Sequence, residues 1–219
     1  MSEEVSAVIR RLPVYLLLDC SGSMSGEPIE AVRMGLRSLV SDLQGDPQAL
    51  ETVWLSIITF DSSAKQVVSL TEVGSFQEPV LNASGTTALG EALKLLLNSV
   101  DKEVRKTTTK QKGDYKPLIF LMTDGMPTDS WENAADEVMR RKFGNIIACA
   151  VGPGAEDAVL KRITNTVIRL QDVSPGTLGA FMGWMTASIS ETGASVSARG
   201  DAPIDLPPPP KDAGIVIVP

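Results

Sequence analysis

Four long apolar runs constrain the fold of this chain more than any other feature. The runs are VYLLLD, TVWLSIITF, LIFLMT and NIIACAV, at residues 14–19, 52–60, 118–123 and 145–151. A strand buried on both faces has this nearly continuous apolar pattern, whereas a half-exposed strand alternates apolar and polar residues. The sequence therefore predicts a sheet whose central strands are covered on both faces.

Helical patterns separate these strands. Apolar residues recur at spacings of three and four after Pro28, Ala88 and Ser174, which is typical of amphipathic helices. A shorter run, KQVVSL at 65–70, predicts an edge strand that returns antiparallel after a polar turn. The alternation predicts an α/β fold of Rossmann-like type. Its doubly wound, mostly parallel central sheet has one antiparallel edge strand and helices on both faces.

One further helix is predicted from a capping pattern. Asp129 precedes Glu132 by three residues, so Asp129 is expected to cap a helix over residues 132–142.

The last part of the chain differs in composition from the rest. We expect one domain over residues 1–191 and a proline-rich C-terminal tail over residues 192–219. The four prolines at 207–210 are compatible only with extended backbone. The apolar segment 215–218 either pairs on a sheet edge or is mobile, and the sequence leaves both alternatives open.

The absence of histidine excludes several kinds of site. The 219 residues contain none, which removes Ser-His-Asp and Cys-His catalysis and every metal site that needs an imidazole. A net charge of −7 and a pI near 4.7 argue against nucleic acid as a partner. The basic run at 102–116 is interpreted as a solvated loop at a helix end.

Cellular location is predicted from three observations. The only cysteines, Cys20 and Cys149, lie in or beside apolar runs and form no disulfide framework. Acidic residues near the N-terminus argue against a signal peptide, and the apolar stretch at 178–189 is too short to span a bilayer. We therefore expect a cytoplasmic protein with no membrane partner.

Polar residues follow two of the buried strands where each strand ends. Asp19, Ser21 and Ser23 come directly after the first strand, and Asp124 ends another. In open α/β sheets, ligands bind in the crevice outside the carboxyl ends of the strands. Mg²⁺ prefers oxygen ligands of this kind, and it would relieve the repulsion of two carboxylates, which is about 4 kcal/mol at about 4 Å and an effective dielectric near 20.

Three segments together resemble a known family. LLLDCSGSM, SGTTALGEAL and FLMTDGMPTD resemble the three parts of the metal-ion-dependent adhesion site (MIDAS) of von Willebrand factor A (VWA) domains, over about residues 12–190. The resemblance implies a bound Mg²⁺, with Mn²⁺ as the alternative, and no enzymatic activity. It implies that a partner protein presents a Glu or Asp to the metal. The implied ligands are Asp19, Ser21, Ser23, Thr87 and Asp124, with the adjacent Thr86 as an alternative to Thr87.

A narrower resemblance concerns biological context. The segment PVYLLLDCSGSMSGEPIEAV, with the compact size and acidity, is similar to bacterial VWA proteins of the TerY type. That type is associated with tellurite-resistance and stress-response gene clusters. The clusters commonly include a protein kinase and a PP2C-type phosphatase, which the resemblance implies as candidate partners.

The same residues are compatible with other functions only under further conditions. A Mg²⁺-dependent phosphatase of haloacid-dehalogenase type would need a carboxylic acid two residues after Asp19, where Ser21 stands. Cys20 as a phosphatase nucleophile would need an arginine where Gly26 stands. A scaffold subunit that docks onto an ATPase is a further alternative. Trp131, near the third segment, is either a partner contact or a core residue.

Overall fold

The computed structural model describes residues 10–109, 111–141, 143–152, 154–172, 174–199, 206–210 and 214–218. Its strands are β1 (Leu12–Asp19), β2 (Val53–Phe60), β3 (Ala64–Glu72), β4 (Leu118–Thr123), β5 (Asn145–Val151), β6 (Thr166–Leu170) and β7 (Ile215–Val218). They form one sheet in the order β3-β2-β1-β4-β5-β6-β7. The five central strands are parallel, and β3 is antiparallel at one edge. The predicted fold class is confirmed.

The other edge of the sheet carries a second antiparallel strand. β7 pairs with β6 in the register Leu170↔Ile215 to Val167↔Val218. Of the two alternatives that the sequence left open for this segment, the structure shows the paired one.

Six α-helices lie in the described ranges. They are α1 (Glu27–Gly45), α2 (Pro47–Thr52), α3 (Leu89–Glu103), α4 (Glu132–Arg140), α5 (Asp157–Ile163) and α6 (Pro175–Arg199). The sequence analysis missed α2, whose first turn is capped by Asp46 accepting from the Gln48 amide at 2.9 Å. The helix α6 continues to Arg199, past the proposed domain boundary at residue 191. None of these helices is long and apolar enough to cross a bilayer.

The central strand β1 explains why the sheet has two apolar cores. Leu16 and Leu18 point into one core, whereas Tyr15 and Leu17 point into the other. Residues of α1 and α6 fill the first core, and residues of α3, α4 and α5 fill the second. Each fully buried leucine stabilises the fold by about 1.5–3 kcal/mol relative to exposure. The helices therefore hold β1 rigidly and fix where its carboxyl end lies.

The segment after α6 lies against the domain. Leu206 packs on the core that α6 covers, and Trp184 Nε1 donates a hydrogen bond of 2.8 Å to the Pro207 carbonyl oxygen. In β7, Ile215 is buried but Ile217 keeps 56% of its surface exposed. Within the described residues, this segment is attached by apolar contacts, by the tryptophan hydrogen bond, by a bond of 2.9 Å from the Gln171 amide to the Gly214 carbonyl oxygen, and by the short ladder of β7.

Some predicted features lie outside the described residues. These are the acidic start of the chain (residues 1–9) and Lys142 at the end of the helix predicted over 132–142.

Candidate metal centre

Asp19 is buried in the candidate site and held in one orientation. It is the last residue of β1, at the carboxyl edge of the sheet, and only 1% of its surface is exposed. Its Oδ1 accepts a hydrogen bond from the Ser21 amide at 2.8 Å, and its Oδ2 accepts one from Thr123 Oγ1 at 2.5 Å. These bonds orient the carboxyl group and tie β1 to the end of β4.

Hydroxyl groups connect the loop that follows β1 (the first loop) to the loop that follows β4 (the third loop). Ser21 Oγ and Ser23 Oγ lie 3.0 Å apart, and Ser23 Oγ donates to Asp124 Oδ1 at 2.7 Å. Four of the residues that the resemblance assigned to a metal therefore belong to one cluster. Ser21 is buried in it, and Ser23 is exposed at its surface.

The loop that precedes α3 (the second loop) brings Thr87 to the same place. An ideal Cβ added to Gly125 would lie 3.3 Å from Thr87 Oγ1 and 3.9 Å from Ser23 Oγ. Both hydroxyls thus lie beside the backbone of the residue that follows Asp124. Thr87 is 6% exposed, so its hydroxyl has little freedom to turn elsewhere.

Thr86 points to a different partner. Its amide donates to Ser62 Oγ at 3.1 Å, and its own hydroxyl lies 3.4 Å from the same atom. Gly85, with φ of 72°, makes this close approach possible, because a Cβ there would lie 2.3 Å from Ser62 Oγ. The geometry favours Thr87 over Thr86 as the residue that faces the cluster.

Three residues that sequence reasoning did not place in the site support it. Thr123 bonds Asp19, and Thr128 binds both backbone groups of Thr87, at 3.1 Å through its Oγ1 and 2.9 Å through its amide. The predicted role of Asp129 as the cap of α4 is wrong. Its carboxylate instead accepts from the Gly90 and Glu91 amides, each at 2.9 Å, at the start of α3.

A signal for these residues was present in the sequence. The third segment repeats a Thr-Asp pair, at 123–124 and again at 128–129. Short polar side chains in loops commonly bond nearby backbone, so the second pair is a candidate support for the first. Sequence spacing alone could not show that its partners lie on a different loop.

Burial shapes the protonation of both carboxyl groups. It raises the pKa of Asp19 above its ordinary value, partly offset by the hydrogen bonds from Thr123 and Ser21, and the nearby Asp124 raises it further. Burial also raises the pKa of Asp124, and the Ser23 hydrogen bond opposes this shift. Both groups are therefore costly to ionise without a neighbouring positive charge.

The donor atoms suit a hard cation. Where the structure describes the chain, no group of three or more His, Cys, Asp or Glu residues is placed to hold a metal. The cluster instead offers carboxylate and hydroxyl oxygens, which Mg²⁺ and Mn²⁺ accept. Burial raises the pKa of the Cys20 thiol to about 12, which disfavours the reactive thiolate form near neutral pH.

Trp131 belongs mainly to the core. It is half-buried and packs against the apolar cluster under α3, α4 and α5. The Arg162 guanidinium lies 5.7 Å from the centre of its ring. Of the two roles that the sequence allowed, the structure shows the packing one.

Known proteins share this sequence pattern. The family model described as the von Willebrand factor type A domain matches residues 14–174. The uncharacterized protein sll0103 of Synechocystis sp. is 37% identical over 123 residues, which are 53% of this chain and 26% of that protein. The chain therefore spans well under half the length of this relative.

Solved structures share the fold. Proximal thread matrix protein 1 from the mussel byssus, with a zinc-occupied MIDAS motif, superposes with a TM-score of 0.62 at 18% identity, covering 83% of this chain and 48% of that one. The ArnB paralog VWA2 from Sulfolobus acidocaldarius gives 0.61 at 17% identity, covering 83% and 46%. The chain spans about half the length of each. Because the family model matches well over half of the residues, this chain belongs to the von Willebrand factor type A family.

Proposed function

We propose that this chain is a protein-interaction module that binds one divalent cation and uses it to recognise an acidic residue of a partner protein. The cation is Mg²⁺, with Mn²⁺ as the alternative. The observation that carries the proposal is the meeting of three loops, whose hydroxyl and carboxyl groups share one surface-facing cluster. The proposed ligands are Asp19, Ser21, Ser23, Thr87 and Asp124.

Charge supports a bound cation. The hydrogen bonds that the described residues make to the carboxylates of Asp19 and Asp124 come from hydroxyl and amide groups and not from Lys or Arg. Two neighbouring carboxyl groups with raised pKa therefore lack a positive partner within the described chain. A divalent ion held by these residues would supply the missing charge and would bind a carboxylate of the partner.

The chain's own residues perform the remaining tasks. Thr123 and the Ser21 amide orient Asp19, while Ser23 lies exposed at the rim, where a partner can approach. VWA domains are generally interaction modules rather than enzymes. The zinc-occupied MIDAS motif of the mussel protein supports divalent-metal binding in this fold. The oxygen-only donor set here favours Mg²⁺ or Mn²⁺ over zinc, which prefers nitrogen and sulfur ligands.

The partner and its setting follow from the narrower resemblance. We propose a cytoplasmic role in a bacterial tellurite-resistance or stress-response system, with the kinase or the PP2C-type phosphatase of the same gene cluster as partner. Docking onto an ATPase as a scaffold subunit uses the same surface and differs only in the partner.

The alternative that this chain is itself a phosphatase of haloacid-dehalogenase type is disfavoured. Ser21, where the general acid would stand, hydrogen-bonds to Ser23 and carries no acidic proton near neutral pH.

Calorimetric titration tests the proposal. Mg²⁺ and Mn²⁺ are titrated into chelator-treated protein and into two variants, Asp19→Ala in the site and Asp46→Ala at the cap of α2. We expect one ion per chain in the wild type and in Asp46→Ala, and none in Asp19→Ala. A folded wild type that binds neither ion would contradict the proposal.

Partner recognition needs a second experiment. The purified kinase and phosphatase are tested for capture by the immobilised chain with Mg²⁺ or with chelator. Capture that depends on Mg²⁺ and is lost in Asp19→Ala is expected for one of them. Equal capture with chelator would show that the metal does not mediate recognition.

A further inference from the structure

Thr128 makes an unusual pair of contacts for an exposed side chain. Its Oγ1 accepts a hydrogen bond from the Thr87 amide at 3.1 Å, and its own amide donates to the Thr87 carbonyl oxygen at 2.9 Å. Both peptide groups that flank the Thr87 side chain are thereby held by one residue. Since these bonds join the second and third loops, they fix where Thr87 lies relative to Asp124.

A second contact from the same loop reinforces the first. The helix α3 begins at Leu89, and its N-cap residue Ala88, which follows Thr87, has no side chain that can cap it. Asp129 supplies the cap from the third loop by accepting from the Gly90 and Glu91 amides. The backbone is thus held by the third loop at Thr87 itself and again one turn later.

The position of the Thr87 hydroxyl depends on this attachment. Thr87 Oγ1 and Ser23 Oγ both lie close to Gly125, which is three residues before Thr128. The short segment from Asp124 to Thr128 therefore connects a carboxylate of the cluster to the residue that holds the backbone of Thr87. Mg²⁺ demands near-ideal octahedral geometry, whereas Ca²⁺ tolerates flexible geometry and longer bonds.

We infer that Thr128 is a positioning residue that holds Thr87 in the orientation that Mg²⁺ requires, so that it tunes affinity and ion selectivity without contacting the ion. The inference rests on the proposed metal-binding function. Residues that orient ligands in this way typically change metal affinity by about 10- to 100-fold when they are replaced. A residue that merely stabilised the fold would leave the ratio of Mg²⁺ to Ca²⁺ affinity unchanged.

The test compares Thr128→Val with Thr128→Ser in the full chain. Valine keeps the β-branched shape and the amide but removes the acceptor, whereas serine keeps the acceptor. Thr107→Val is the matched control, because Thr107 Oγ1 also accepts a backbone amide, that of Gly113 at 3.0 Å, in a loop before β4 at the amino-terminal end of the sheet. Mg²⁺ and Ca²⁺ affinities are measured by calorimetry, with the thermal midpoint of each metal-free variant recorded beside them.

We expect Thr128→Val to weaken Mg²⁺ binding about tenfold and Ca²⁺ binding less, with Thr128→Ser and Thr107→Val close to the wild type. If the wild type binds Mg²⁺ and Thr128→Val leaves the ratio of Mg²⁺ to Ca²⁺ affinity unchanged, whether or not the affinities themselves fall, the positioning role alone would be overturned. Absence of binding by the folded wild type would overturn the proposed function and this inference with it.

Discussion

The loops at the carboxyl edge of the sheet and the segment that follows α6 are attached to the same domain in different ways. The loops are joined to one another by many short hydrogen bonds, among them Ser23 to Asp124 and Thr123 to Asp19. The described part of the C-terminal segment is held by a four-residue edge strand, by the bond from the Gln171 amide to the Gly214 carbonyl and by the bond from Trp184 to the Pro207 carbonyl. Densely bonded loops can hold ligand atoms in place, whereas a short edge strand opens at a low free-energy cost.

The two regions depend on charge to different degrees. The loops bring together two carboxyl groups whose pKa values are raised by burial, so ionising both groups is costly. The strand β7 is wholly apolar and depends on packing and backbone pairing. Perturbing one region should therefore leave the other almost unchanged.

The largest expected effect separates metal binding from folding. Asp19→Ala removes a buried carboxyl group that is costly to ionise, but it also leaves the Ser21 amide and the Thr123 hydroxyl without their acceptor. Because these two effects oppose each other, we expect undetectable Mg²⁺ binding by a variant that folds with a metal-free thermal midpoint close to that of the wild type. Calorimetry and a thermal scan measure the two quantities. A variant that failed to fold would break the comparison, because the carboxyl group would then be needed for the fold itself.

The next effect distinguishes two adjacent hydroxyls. Thr87→Val removes the hydroxyl beside Gly125 and should weaken Mg²⁺ binding at least about tenfold. Thr86→Val removes a hydroxyl that contacts Ser62 and should change the affinity less than about twofold. Calorimetric titration of both variants decides the matter, and the reverse ranking would assign the ligand to Thr86.

A smaller effect concerns the C-terminal segment. Ile215→Ala removes most of a buried side chain from β7 and should favour opening of this segment by about 2 kcal/mol, roughly 30-fold in the equilibrium. Faster amide exchange over residues 214–218 measures the opening, and Mg²⁺ affinity serves as the control that should not change. Slower exchange in the variant, or a lost Mg²⁺ site, would show that the two regions are coupled.

The smallest effect is the pH dependence of the metal-free protein. Because the pKa of Asp19 is raised on folding, its contribution to the free energy of unfolding is fully present below the ordinary Asp pKa and is lost as pH rises through the raised value. The stability of the wild type relative to Asp19→Asn should therefore fall as the pH rises above the ordinary Asp pKa. Denaturant titration at several pH values measures this difference, and a rise in relative stability would contradict the shift.

Much of the fold could be predicted because its signals are local. The apolar runs predicted β1, β2, β4 and β5 closely, since a strand buried on both faces carries its burial pattern in its own residues. The helix α2 was missed because its six residues are too few for a helical period. The pairing of β7 with β6 depends on a partner distant in sequence, which no local pattern specifies.

The candidate site, like the fold, could be predicted only in part from local sequence patterns. The positions of Asp19, Ser21 and Ser23 at a strand end followed from the sequence, and the structure brings them to Asp124 as the resemblance implied. The role of Asp129 was predicted wrongly. Its spacing to Glu132 fits a local cap, but the amides of α3 lie within reach and take the carboxylate. Local spacing cannot show which of two helix starts lies nearer in space.

The most direct test of the central claim is anomalous diffraction from crystals of the full chain grown with Mn²⁺. We predict one anomalous peak among the three loops, about 2 Å from the hydroxyl oxygens of Ser21, Ser23 and Thr87, with a coordination position left to water or to a carboxylate from a neighbouring molecule. A peak at another place, or no peak in a well-ordered crystal of the folded chain, would contradict the claim.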